Sequence, residues 1–240
     1  MAFDVYEYTS PGGRDYNEDS LGSSCSSTGG IFVVADGLGG HQFGEKASAA
    51  VVETIISGWD PESENIPEQI NEKFQAANQK ILDLQKENKC IMKTTAAVLA
   101  VSGAKAVMAN SGDSRVYYFH KNELKSCTND HSVAFKKYKA GEITKEQIAA
   151  DEDQSCLLRS LGGEERFMPD IIECDNEIEA GDAFMLCSDG AWEYLRDQEI
   201  LIDLLKSETA KDWSELLMLR IMERIKCNND NLSILTIIID

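Results

Sequence analysis

Apolar positions along this chain fall into short runs of two kinds, separated by polar turns. Near-continuous or alternating stretches predict strands over residues 3–8, 31–35, 95–101, 104–109, 115–119, 183–187 and 232–239. Several are apolar at consecutive positions, which suits strands buried on both faces, as in stacked sheets covered by helices. Helical periodicity predicts helices over 45–57, 67–87 and 213–225, the second with Ile70, Phe74, Ala77, Ile81 and Leu84 on one stripe. Turn signals at Ser102-Gly103-Ala104 and at Asn110-Ser111-Gly112-Asp113-Ser114 divide residues 95–119 into what reads as an antiparallel meander. The order is strands, long helices, more strands and then mixed elements, which favours an α+β layered fold over alternating βαβ units. Residues 129–163 differ in character. They are rich in Lys, Glu and Asp with weak helical segments, and read as an exposed, flap-like insertion that is the most mobile part of the chain.

Composition narrows the class. With 42% hydrophobic content over 240 residues and no linker, residues 1–240 suit one large domain. The balance of 23 basic against 42 acidic residues gives a net charge of −19, which argues against nucleic-acid and anionic-membrane partners. A site for an anionic substrate then needs cations placed inside it. The seven cysteines are scattered and lack any C-x-x-C spacing, so they suggest neither a disulfide framework nor a zinc ribbon, and a reducing cytoplasm is the simplest home. No leader is visible and no apolar run approaches the ~18 residues of a membrane span, so the expectation is a soluble, complete, monomeric protein.

Candidate chemistry sits at the strand ends. Asp36 closes the run Ile31-Phe32-Val33-Val34-Ala35 and opens Asp36-Gly37-Leu38-Gly39-Gly40-His41, where glycines leave room for a ligand or a second backbone segment. Glu18 and Asp19 follow the first strand, Asp113 lies between two strands, Asp189 follows residues 183–187, and Asp230 precedes the last strand. If the strands stack in two sheets, acids at one rim converge, and converging carboxylates repel unless a cation neutralises them. Oxygen ligands without clustered His or Cys suit magnesium or manganese better than zinc.

The chain resembles the PPM-type (type 2C) metal-dependent protein serine/threonine phosphatases, in a minimal form like that of bacteria. The resemblance is carried by Arg14-Asp15-Tyr16-Asn17-Glu18-Asp19, Asp36 to His41 with Gly44-Glu45, Thr94-Thr95, Asn110 to Arg115, Asp130-His131-Ser132, Ser188-Asp189-Gly190 and Asp230-Asn231, all in the family's order. It implies a four-layer α-β-β-α sandwich of two mostly antiparallel sheets with metals at one rim. It further implies that Asp36 bridges two ions, that the Gly37 carbonyl with Glu18 and Asp19 serves one, and that Asp189 and Asp230 serve the other. Asp113 with Asp189 resembles a third, weaker site. Arg14 matches the position that binds the substrate phosphate, and the hydroxide held between two magnesium or manganese ions would attack phosphorus in phosphoserine or phosphothreonine of a protein, opposing a Ser/Thr kinase.

Departures from the pattern matter as well. Leu38 stands where some members carry a histidine proposed to protonate the leaving group, Lys93 stands where glycine is common, and Ser233 where threonine is usual. His41 and His131 read as structural, His120 has no family role, and Cys187 lacks a partner that would make it a nucleophile. Arg115 is expected to order the acidic turn. The competing functional classes are a catalytically weak binding module on the same fold and a stress-response relative dedicated to one partner. Retention of all five principal acids speaks against the first, and the insertion against the second.

Overall fold

The unbroken apolar run at residues 31–35 is explained by what covers it. In this computed structural model, which describes residues 1–38, 43–163, 167–225 and 227–240, Ile31, Val33 and Ala35 face helices while Phe32 and Val34 face a second sheet. Ten strands build the two sheets: β1 (Phe3–Ser10), β2 (Asp19–Cys25), β3 (Gly29–Asp36), β4 (Ala96–Ser102), β5 (Lys105–Ser111), β6 (Arg115–His120), β7 (Glu123–Cys127), β8 (Asp170–Glu173), β9 (Ala183–Cys187) and β10 (Leu232–Ile239). One sheet has the order β2-β3-β4-β5-β8 and the other β1-β10-β9-β6-β7, every pairing antiparallel. Between them lies an apolar seam that includes Phe32, Leu99, Met108, Tyr118, Phe184 and Leu235.

Helices cover both outer faces. The first sheet is covered by α1 (Gly44–Ile56) and α2 (Ile66–Asn88), whose stripe Ile70, Phe74, Ala77 and Ile81 is fully buried. Asn65 starts α2 by accepting a hydrogen bond from the Glu68 N–H, with Pro67 early in the first turn. Against the second sheet pack α3 (Val133–Lys139), α4 (Asp189–Trp192), α5 (Asp197–Leu204) and α6 (Ala210–Arg224). Trp213 of α6 is buried edge-on to Phe119. The four-layer sandwich expected from the sequence is therefore present.

Three differences from the sequence reading have physical causes. The segment 95–119 is not one meander: β4 and β5 form a hairpin, but β6 pairs with β7 and β9, so Asn110 to Ser114 carries the chain from one sheet to the other. Strands β2, β7 and β8 escape the pattern because they lie toward the sheet edges, where half-exposed, polar sequences such as Asp19–Cys25 suffice. Residues 129–163 are largely exposed or half-buried, but carry more regular structure than their weak periodicity suggests. They contain α3 and a 3-10 turn (Lys145–Ala150), and Ala134 and Ile148 are buried in the same cluster as Tyr117 and Trp192.

Phe74 is fully buried and stacks on Phe167 with ring centroids 6.0 Å apart. Phe74→Ala should cost about 3–5 kcal/mol, seen as a lower urea midpoint with unchanged slope. A loss well below 1 kcal/mol would mean that the helix layer closes over the gap.

Candidate metal and phosphate site

The strand ends meet at one rim because the two sheets are pinned there by short polar contacts. Asp19 begins β2 and Asp36 ends β3 directly opposite it in the ladder. Thr95 donates its N–H to the Asp36 carbonyl at 2.8 Å, its hydroxyl accepts from the Asp36 N–H at 3.0 Å, and the Thr94 hydroxyl donates to the same Asp36 carbonyl at 2.7 Å. Two hydroxyl contacts then cross between the sheets. Thr95 Oγ1 meets Ser114 Oγ at 2.7 Å, and Ser188 donates to Asp19 Oδ2 at 2.8 Å while accepting from the Ser233 N–H at 3.0 Å.

Each acid is placed by its neighbours. The Glu18 N–H is held by Asn231 Oδ1 at 2.8 Å, and Asn231 Nδ2 donates to the Pro11 and Tyr16 carbonyls at 2.9 and 2.8 Å. Asn231 thus knots the loop carrying Arg14 and Glu18 to the segment carrying Asp230. A Cβ on Gly37 would lie 2.4 Å from the Gly44 carbonyl and 2.7 Å from the Glu18 carbonyl, so only glycine lets β3 end this close to α1. Gly44 in turn leaves space for the Glu18 carboxylate, 2.5 Å from where its own Cβ would be. Asp113 sits in the crossover, its carbonyl accepting from Trp192 Nε1 at 2.8 Å. Behind it, Arg115 stacks on the Trp192 ring and grips Asp130 through two contacts of 2.7 and 2.6 Å, while the His131 N–H and Nδ1 bond the Gly112 peptide.

Burial and mutual repulsion set the electrostatics. Asp19 is pushed up to about 7, first by burial and then by Asp189 and Asp230. Asp36 is held well above the usual carboxylate range by burial and by Asp19, Asp189, Asp113 and Asp230. Asp113 is raised by burial and by Asp189, and Asp189 by burial and by Asp230. Glu193, one turn beyond Asp189, is pushed up to about 8 by burial first and then by Asp189 and Asp230.

The acids surround a cleft of about 1020 Å³ lined by Glu18, Asp36, Gly37, Asp113, Asp189 and Asp230, with Asp19 beneath its floor. Among the described residues no three acidic, His or Cys side chains are gathered into a ready-made ion cage; they form a chain of neighbours instead. Their fit to divalent cations rests on other grounds: Asp19 Oδ1 and Asp189 Oδ1 are buried without a described partner, and the donor set is oxygen alone.

Arg14 lines the same cleft. Its Nε and Nη2 clasp the two oxygens of Asp230 at 3.1 and 2.8 Å. Leu38 lines the cleft wall, whereas Gly39, Gly40 and His41 lie outside the described residues. His120 is tied to Asp182 at 2.7 Å, away from the rim, and Cys187 is buried with its thiol pushed up by burial, consistent with packing roles. The sequence reading gives no role to Ser188, to Asn231 or to Gln154, whose amide approaches Asp189 Oδ2 at 3.4 Å. The first two enter it only as parts of the motifs around the strand-end acids.

Comparison with known proteins points to one family of phosphatases. The Protein phosphatase 2C family profile matches residues 13–220. The serine/threonine phosphatase stp of Listeria welshimeri is 31% identical over 206 residues, covering 81% of this chain and 79% of the relative. Protein phosphatase PhpP of Streptococcus pneumoniae is 31% identical over 193 residues, covering 78% of each. The solved structure of serine/threonine phosphatase Stp1 from Staphylococcus aureus superposes with a TM-score of 0.88 at 27% identity, over 100% of this chain and 96% of that one. The catalytic domain of the phosphatase PstP, solved in complex with two manganese ions, gives 0.82 at 26% identity over 99% of both chains.

Because folding raises these carboxyl pKa values, the folded chain holds more protons than the unfolded one between the ordinary carboxylate range and about 7. The cluster's contribution to stability is therefore greatest in acid and is lost as pH rises toward 7. With chelator at pH 7.5, Asp36→Asn should be more stable than wild type by ~1 kcal/mol, a Tm gain of about 2–4 °C. In manganese wild type should gain Tm and the variant less. Lower stability of the variant in chelator would show that hydrogen bonds, not repulsion, govern Asp36.

Proposed function

Since this chain belongs to the protein phosphatase 2C family, we propose that it hydrolyses phosphoserine and phosphothreonine in proteins, using two divalent ions, magnesium or manganese, at the rim around Asp36. In class it is a metal-dependent serine/threonine protein phosphatase. The observation that carries the reading is the convergence of buried, mutually repelling acids beside a guanidinium in one cleft.

Asp36 would bridge the ions, with Glu18, Asp19 and the Gly37 carbonyl completing one set and Asp189 and Asp230 the other; Asp113 with Asp189 would hold a third. When bound, such ions polarise phosphoryl oxygens and lower the pKa of water. The chain's own part is to fix and discharge the donors. Thr94 and Thr95 lock the Asp36 backbone, and Ser188 orients Asp19, so the carboxylates meet the cation without reorganising. Asp19 and Asp36 must give up their protons on loading, so metal affinity rises with pH. Arg14 stands at the mouth, where a planar guanidinium can grip two phosphate oxygens. Leu38 holds no proton, so the leaving alkoxide is protonated from another source.

The test is turnover of p-nitrophenyl phosphate and a phosphothreonine peptide with and without manganese. Wild type should require the metal, and Asp36→Asn and Asp230→Asn should lose most of the rate. Metal-independent turnover, or full activity in both variants, would sink the reading. Arg14→Ala should raise KM about tenfold or more, the loss of a charge-assisted contact of ~1.5–3 kcal/mol, while manganese still raises Tm. An unchanged KM would remove Arg14 from the phosphate.

A further inference from the structure

Lys93 and Leu38 lie opposite each other where the β3–β4 ladder runs out into the cleft. Gly37 bridges Thr94, and the Leu38 N–H donates to the Lys93 carbonyl at 3.1 Å. Both residues line the cleft wall. Both are also departures from the family pattern, an apolar side chain where a histidine can stand and a cation where glycine is common. The pair changes the character of one wall.

Two observations say what that wall meets. Of the two cations lining the cleft, Arg14 is clasped by Asp230, whereas Lys93 makes no ion pair with a described residue. The other charged residues around the opening are acids, including Asp15, Glu18 and Glu45, in a chain of net charge −19. Lys93 also belongs to a second groove of about 420 Å³ that continues from the cleft and shares Leu157 and Ser160 with it. Beyond the shared residues, that groove is walled by Leu158 and Met168, which are 44% and 70% exposed, by Phe167, and by Arg159, whose guanidinium is paired with Asp170 at 2.6 Å.

We propose that Lys93 is a specificity residue that pairs with an acidic side chain one or two positions from the phosphorylated residue, the substrate chain passing from the cleft over Lys93 into the adjoining groove. An extended chain advances ~3.3 Å per residue, so a residue that near a phosphate in the cleft falls within reach of a lysine at the seam. Among the described residues lining the cleft and the groove, Arg14 and Arg159 are each engaged by an aspartate, so Lys93 is the cation left to attract an acidic substrate side chain, which the carboxylates around the opening repel. The inference rests on the phosphatase reading.

The experiment compares phosphothreonine peptides that differ only in carrying Glu or Lys next to the phosphothreonine, on either side, with p-nitrophenyl phosphate as the substrate that has no flanks. Manganese-loaded wild type should favour the Glu peptide in kcat/KM by about two- to fivefold, the range of an exposed ion pair. Lys93→Gln should bring the ratio toward one and Lys93→Glu should invert it, with p-nitrophenyl phosphate turnover within about twofold throughout. The preference should shrink with added salt. Equal ratios in wild type and Lys93→Glu would overturn the proposal, as would a parallel fall on p-nitrophenyl phosphate, which would put Lys93 on the phosphate itself. If wild type hydrolyses none of these substrates with manganese, the phosphatase reading fails and this proposal with it.

Discussion

Repulsion between carboxylates is the constraint around which this molecule is organised. Asp19, Asp36, Asp113, Asp189 and Asp230 are drawn toward one rim, and burial deprives most of them of the water that would screen their charges. Such an arrangement opposes folding unless other interactions over-determine it. Here the over-determination is local and polar. Hydroxyls of Thr94, Thr95, Ser114 and Ser188 and the amide of Asn231 fix the strand ends, while three apolar layers hold the sheets and helices that carry them.

The crossover at Asn110 to Ser114 shows how topology serves that constraint. A hairpin there would have kept β5 and β6 in one sheet and left Asp113 at its end, away from Asp189. Instead the chain changes sheets, Gly112 adopts φ of +101° against Thr95, and Asp113 arrives between the two strand sets. Its position is then secured from behind by the Arg115–Asp130 pair and the Trp192 ring, and Asp130 belongs to the insertion. The insertion is therefore wired into the acidic rim rather than appended to it.

What the sequence reveals follows from how much of the environment is encoded locally. Interior strands such as β3, β4 and β9 are legible because burial on both faces forces unbroken apolar runs, and α2 is legible because burial on one face forces a stripe. Edge strands carry no such obligation, so β2 and β8 read as loops. The acids of the site are legible because each lies at or beside the end of a strand. Their partners are not, since Asn231 acts across the chain on Glu18, and Arg14 finds Asp230, more than two hundred positions away. Asp15 and Glu18 are nearer to Arg14 in sequence, yet the fold brings Asp230 to its guanidinium.

The Arg14 clasp also bears on the order of events. Two of its nitrogens are committed to Asp230, the same carboxylate that the proposed function gives to a metal. Under that proposal phosphate and Asp230 would be rivals for one guanidinium, and a cation taking Asp230 would settle the rivalry in favour of phosphate. Loading with metal would then turn a closed ion pair into an open receptor.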